Sequence, residues 1–105
     1  MTAIVRVELH SANESDYQTL HDAMEKAGFS RTIKSDDGIV YKLPPAEYSF
    51  SGEATRSDLL ARTKRAAETT GRRYAAVVSE TIGTTWTGLD IATSRASTLL
   101  TGLYR

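Results

Sequence analysis

The chain has 105 residues, 13 basic against 13 acidic side chains, and no cysteine. That length holds one domain around a single core, and the missing cysteines exclude disulfides and thiolate metal sites. No apolar run approaches the roughly 20 residues needed to cross a bilayer. The N-terminus also lacks the basic-then-apolar layout of a signal peptide, so a cytoplasmic protein with no membrane partner is expected.

The first element is a strand over Ala3–His10, where Val5, Val7 and Leu9 alternate with Arg6, Glu8 and His10. One face is therefore apolar and the other polar. Asn13 then caps a helix, with Asp16 in the capping-box position. Tyr17, Leu20, Met24 and Ala27 form its buried stripe, Gly28 stops it, and Phe29 folds back onto the last turn.

Asp37-Gly38 lies between the runs Arg31–Lys34 and Ile39–Leu43, a strong hairpin signal. Pro44-Pro45 interrupts the third strand, because proline cannot donate to a strand ladder. A split strand results: Ile39–Leu43 pairs within the hairpin, while Ala46–Ser51 lies beside the first strand. Thr55 with Asp58 gives a second capping box, Leu59, Leu60, Thr63, Ala66 and Ala67 a second buried stripe, and Gly71 a stop.

Tyr74–Val78 shows no polar alternation, so both of its faces are expected to be covered. Either Thr84–Leu89 returns as an extra strand after a turn at Gly83, or a second copy packs on the open sheet face as a homodimer. The tail Asp90–Arg105 carries Ala92, Ala96, Leu99, Leu100 and Leu103 at helical spacing. It reads as a docking helix, a partner-binding segment or a disordered end. The whole order is strand, helix, strand, strand, helix, strand. That predicts an α+β, ferredoxin-like βαββαβ sandwich over residues 1–89, with an extra C-terminal strand and a tail over 90–105.

The neutral total conceals segregated charge. Residues 1–55 carry five Lys/Arg against nine Asp/Glu, whereas residues 56–73 carry Arg56, Arg62, Lys64, Arg65, Arg72 and Arg73 against Asp58 and Glu68. Such a basic stretch is either a solvated helix face or a surface that follows a phosphate backbone. Arg62, Lys64, Arg65, Arg72 and Arg73 are its candidate RNA-binding residues.

On the polar face of the first strand, Arg6, Glu8 and His10 are the candidate catalytic group. A cation, an acid and a base suit cleavage of RNA by its own 2′-hydroxyl, which needs two proton transfers and stabilisation of a charged phosphorane. The same alternation also describes a plain solvent-facing or dimer-facing strand. His21 is expected half-buried beside the first stripe. Asp36-Asp37 is explained by the turn, and two histidines without a third ligand in register make no metal site. No cofactor is expected. Tyr41, Tyr48, Phe50, Tyr74 and Trp86 are spread over the sheet, where they either stack unpaired bases or serve as core and dimer contacts.

A family resemblance rests on a set of short strings. They are Val5-Arg6-Val7-Glu8-Leu9-His10, Tyr17-x-x-Leu20-His21-x-Ala23-Met24, Gly28-Phe29-Ser30-Arg31 and Asp36-Asp37-Gly38. They continue with Leu43-Pro44-x-Ala46-Glu47-Tyr48, Gly52, Thr55-Arg56, Lys64-Arg65-Ala66-Ala67, Thr70-Gly71 and Trp86-x-Gly88-Leu89. Over roughly residues 4 to 89 the chain resembles the GhoS-type endoribonuclease antitoxins of type V toxin–antitoxin systems. The resemblance implies a ferredoxin-like fold akin to a small CRISPR-associated nuclease. It also implies a cytoplasmic antitoxin that cleaves the messenger of a membrane toxin. It carries over no catalytic residue.

Overall fold

The structure, a computed structural model, describes residues 1–92. It is a mixed α+β arrangement of two helices and two antiparallel sheets. The elements are β1 (Thr2–Leu9), α1 (Glu14–Lys26), β2 (Thr32–Lys34), β3 (Val40–Lys42), β4 (Glu47–Ser51), α2 (Arg56–Glu68) and β5 (Tyr74–Thr81). β1 is central in a three-stranded sheet of order β4-β1-β5, and β2 and β3 pair as a hairpin.

Alternation along β1 decides what lies behind the sheet. Ala3, Val5, Val7 and Leu9 point inward, level with Tyr48 and Phe50 of β4 and with Ala76 and Val78 of β5. Leu20 and Met24 of α1, and Leu59, Ala66 and Ala67 of α2, close over them in one core with Phe29. Val5, Leu20, Met24, Tyr48 and Leu59 have no exposed surface, and burying each such side chain contributes about 1.5–3 kcal/mol.

Both helices begin as their sequences predict. Asn13 accepts from the Asp16 N–H at 2.9 Å and Asp16 accepts in return, and Thr55 and Asp58 repeat that exchange. α1 ends in a Schellman motif, with Gly28 N–H donating to Glu25 and Phe29 N–H to Met24. The motif needs a left-handed residue after the cap, and Gly28 supplies it at φ +100.

The hairpin forms with Ile33 opposite Tyr41, and its reversal is wider than a two-residue turn. Ser35 N–H donates to Ile39, Gly38 N–H donates to Ser35, and Gly38 sits at φ +91, which makes a three-residue loop closed by a left-handed glycine. The strand break at Pro44-Pro45 is also present. Glu47 N–H donates back to Pro44 across a turn that holds Ala46 at φ +64, and the chain then realigns beside β1. A non-glycine residue there costs on the order of 1 kcal/mol. One isolated bridge, Ser30 to Ser49, connects the chain entering β2 to β4.

Two expectations need correction. Leu60 is 41% exposed, because Leu59 and Thr63 already fill the inward face of α2. The extra strand over Thr84–Leu89 does not form. The chain leaves β5 at Ile82 and crosses to the hairpin, where Lys42 N–H donates to Asp90 and Ala92 N–H to Val40 around a bridge between Tyr41 and Ile91. Among the described residues no strand covers the outward face of β5, and Val77 is 54% exposed there. Of the tail expected over 90–105, residues 93–105 lie outside the described residues.

Candidate functional site

The outer face of the sheet carries the candidate catalytic residues. Arg6 and Glu8 are exposed at successive outward positions of β1, about 7 Å apart by strand geometry. Arg6 lies opposite Glu47 on one side and Val77 on the other, and Glu8 lies opposite Ala75. The β5 register runs one residue past the strand end, where His10 N–H donates to Arg73 at 2.8 Å. That bond sets His10 beside Arg73. Tyr17 pins this end of the strand, since its hydroxyl accepts from Leu9 N–H at 3.0 Å. Among the described residues, the side chains of Arg6, Glu8, His10 and Arg73 make no hydrogen bond or ion pair with one another. By backbone register Arg6 and Glu8 follow one another in a row on β1, His10 lies in the turn just after it, and the Arg73 backbone is bonded to that of His10.

The basic residues read from the sequence do not form one surface. Arg73 joins the row. Arg72 instead reaches Asp16 at 2.9 Å, and the Asn13 N–H together with that contact lowers the Asp16 carboxyl below its ordinary 3.8. Arg62 lies 5.4 Å over the Phe50 ring and donates to Ala27 O. Lys64 and Arg65 are exposed on α2, in the helix layer behind the sheet. There Arg62, Arg65 and Lys26 line a groove of about 470 Å³ between the helices. Arg73 is thus beside the Arg6 row, and the α2 cations lie on the opposite side of the sheet.

Two features escaped the sequence reading. His21, expected half-buried, is 7% exposed, and its Nδ1 lies 2.7 Å from the Tyr48 hydroxyl beneath α1. Burial first, and the Arg31 guanidinium second, hold the imidazole below its ordinary 6.5, while burial pushes the Tyr48 phenol upward. The signal was present in the spacing: His21 falls four residues after Tyr17 and three before Met24, on the buried stripe itself. The second feature is a cleft on the outer face, closed by the hairpin and by Trp86 from the crossing segment.

Among the described residues no group of three or more His, Asp or Glu gathers as metal ligands, and no helix is long and apolar enough to cross a membrane. Compared with known proteins, the chain matches no family model and no curated sequence.

Proposed function

We propose that the protein acts on RNA as a cytoplasmic endoribonuclease antitoxin of the GhoS type, on the open face of a ferredoxin-like sheet. The order β4-β1-β5, with the hairpin tied to β4 through Ser30 and Ser49, supports that fold reading because it fits a split βαβ arrangement. The observation that carries the function is the row Arg6, Glu8 and His10, whose side chains have no ion-pair partner among the described residues, with Arg73 bonded through its backbone beside His10.

In the proposed reaction the substrate's 2′-oxygen attacks the adjacent phosphorus and the 5′-oxygen leaves. The products are a 2′,3′-cyclic phosphate and a 5′-hydroxyl. Glu8 and His10 share the two proton transfers, one accepting from the 2′-hydroxyl and the other donating to the leaving oxygen. Arg6 and Arg73 offset the charge that builds on the phosphorane. Glu47, opposite Arg6, opposes phosphate binding and sharpens the need for both guanidiniums.

The test is incubation of purified protein with end-labelled single-stranded RNA, with and without a chelator and divalent ions. Fragments ending in cyclic phosphate are expected from RNA, and none from a strand carrying 2′-deoxyribose at the cut. Intact RNA under every condition overturns the nuclease.

A second reading has one observation in its favour. Val77 is 54% exposed on the same face as half-buried Ile4, which suits a non-catalytic homodimeric module that binds a protein partner or regulatory ligand through the open sheet. Phosphate contacts weaken steeply with salt and an apolar interface does not, so a salt titration of binding separates the two.

A further inference from the structure

The outer face is not flat. At the Thr2 end of the sheet, the hairpin rises on one side and the Thr81–Trp86 segment on the other, enclosing a cleft of about 920 Å³. Ile4 and Ser49 belong to its floor, and Tyr41 and Trp86 close it as an edge-to-face pair with centroids 5.4 Å apart. The crossing segment is fastened to β3 by the backbone bonds at Asp90 and Ala92, which keeps Trp86 against the hairpin.

We propose that this cleft receives one unstacked base of an RNA strand whose phosphodiester lies on Arg6, Glu8 and His10. The inference rests on the RNA-acting reading above and adds to it a base subsite. Continuity is the first argument. Ile4 and Arg6 are successive outward positions on β1, about 7 Å apart, so a base over Ile4 leaves its neighbouring phosphate over Arg6. Charge is the second. The charged lining residues are Lys34 against Asp36 and Asp37, a balance that repels a phosphate and leaves the neutral base and sugar as the fitting part of a nucleotide. The third is chemistry. Aromatic faces hold unpaired bases by stacking, the Thr84 hydroxyl on the wall offers a donor and an acceptor to a base edge, and Ser49 on the floor, whose own proton goes to Thr32 O at 2.6 Å, offers an acceptor.

The chain contains a single tryptophan, so its emission reports from the cleft alone. The full-length protein is titrated with a short RNA whose 2′-oxygens are methylated, which blocks cleavage and keeps every base. A saturable change in Trp86 emission is expected, and none with a ribose-phosphate strand lacking bases. Tyr41→Ala should weaken binding by on the order of 10-fold, and should raise KM for cleavage by a similar factor with kcat unchanged. If RNA is bound or cut while Trp86 emission stays constant, or if the baseless strand binds equally well, the base subsite is overturned and the Arg6 row stands. If RNA is neither bound nor cut, the RNA reading itself falls and takes the subsite with it.

Discussion

The two faces of the central sheet share the same strands and have opposite physics. On the inner face Val5 and Tyr48, with Leu59 of α2 packed against that face, are sealed from solvent, and each position is fixed by the volume it must fill. On the outer face Arg6, Glu8 and Val77 stand in solvent against half-open neighbours. Nothing in packing requires a guanidinium, a carboxylate and an imidazole to follow one another there. The difference makes folding and function separable on a single strand: one set of alternate residues holds the molecule together, and the other is open to contact with a ligand.

The largest expected effect comes from that separation. His10→Ala or Glu8→Gln should lower the rate of RNA cleavage 10²- to 10⁴-fold, the range for removal of a general acid or base. Thermal stability should change by less than about 0.5 kcal/mol, as for other surface substitutions. Cleavage assays and thermal melts on the same preparations check both halves. A variant that loses activity together with its melting transition would break the division between the faces.

On the inner face the reverse is expected. Leu59→Ala should cost about 3 kcal/mol and lower the melting temperature by on the order of 10–20 °C, while RNA affinity measured well below the melt is unchanged. Val77→Ser is its outer-face counterpart and should leave stability within about 0.5 kcal/mol of wild type. Sedimentation of Val77→Ser also addresses the dimeric reading. An assembly that dissociates on that substitution places a second copy, rather than RNA, on the open face.

These contrasts explain what could be read in advance. Helix ends were legible because Asn13, Thr55 and Gly28 act through local bonds within four residues. The inner face was legible because alternation has a period of two and one side must be buried. The path after β5 was not. Thr84–Leu89 carries strand-like residues, yet Trp86 packs on Tyr41 and the pairing shifts to Ile91, a long-range outcome that local propensity does not encode. The cleft escaped for the same reason, since its lining comes from four separate stretches of chain, at Thr2–Ile4, Ser30–Tyr41, Ser49–Ser51 and Thr81–Trp86. Arg72 and Arg73 are neighbours of identical type, and only the register of β5 separates one from the other.

The buried His21–Tyr48 pair gives the inner face a pH dependence. His21 titrates below its ordinary 6.5 in the folded protein, chiefly through burial and then through Arg31, with Glu25 and Asp22 acting in the opposite sense. The unfolded chain therefore takes up the proton first as pH falls. Stability is full above about 6.5 and is lost progressively below it, toward the depressed folded value. Asp16 and Asp58 are lowered from 3.8 by their cap bonds, so their contributions disappear only in a more acidic range. Melts between pH 7 and 5 should show this loss in wild type and a flatter profile in His21→Gln, which keeps a partner for the Tyr48 hydroxyl. An equal slope in both would remove His21 as the cause.

The smallest expected effects come from the adjacent pair Arg72 and Arg73, which test the division of the faces residue by residue. Arg73 is aligned with His10, so in the proposed complex it pairs with a phosphate and displaces a cation condensed on the RNA. Arg73→Ala should reduce the slope of log binding constant against log salt by roughly 1 and weaken all RNA sequences alike. Arg72 is held by Asp16 on the helix side. Arg72→Ala should leave the salt slope at the wild-type value and lower the melting temperature only slightly, because the ion pair is partly exposed and such pairs contribute little. If Arg72→Ala instead changes the slope as much as Arg73→Ala, the RNA track includes the end of the helix layer. The boundary between the two faces then lies beyond β5 rather than at it.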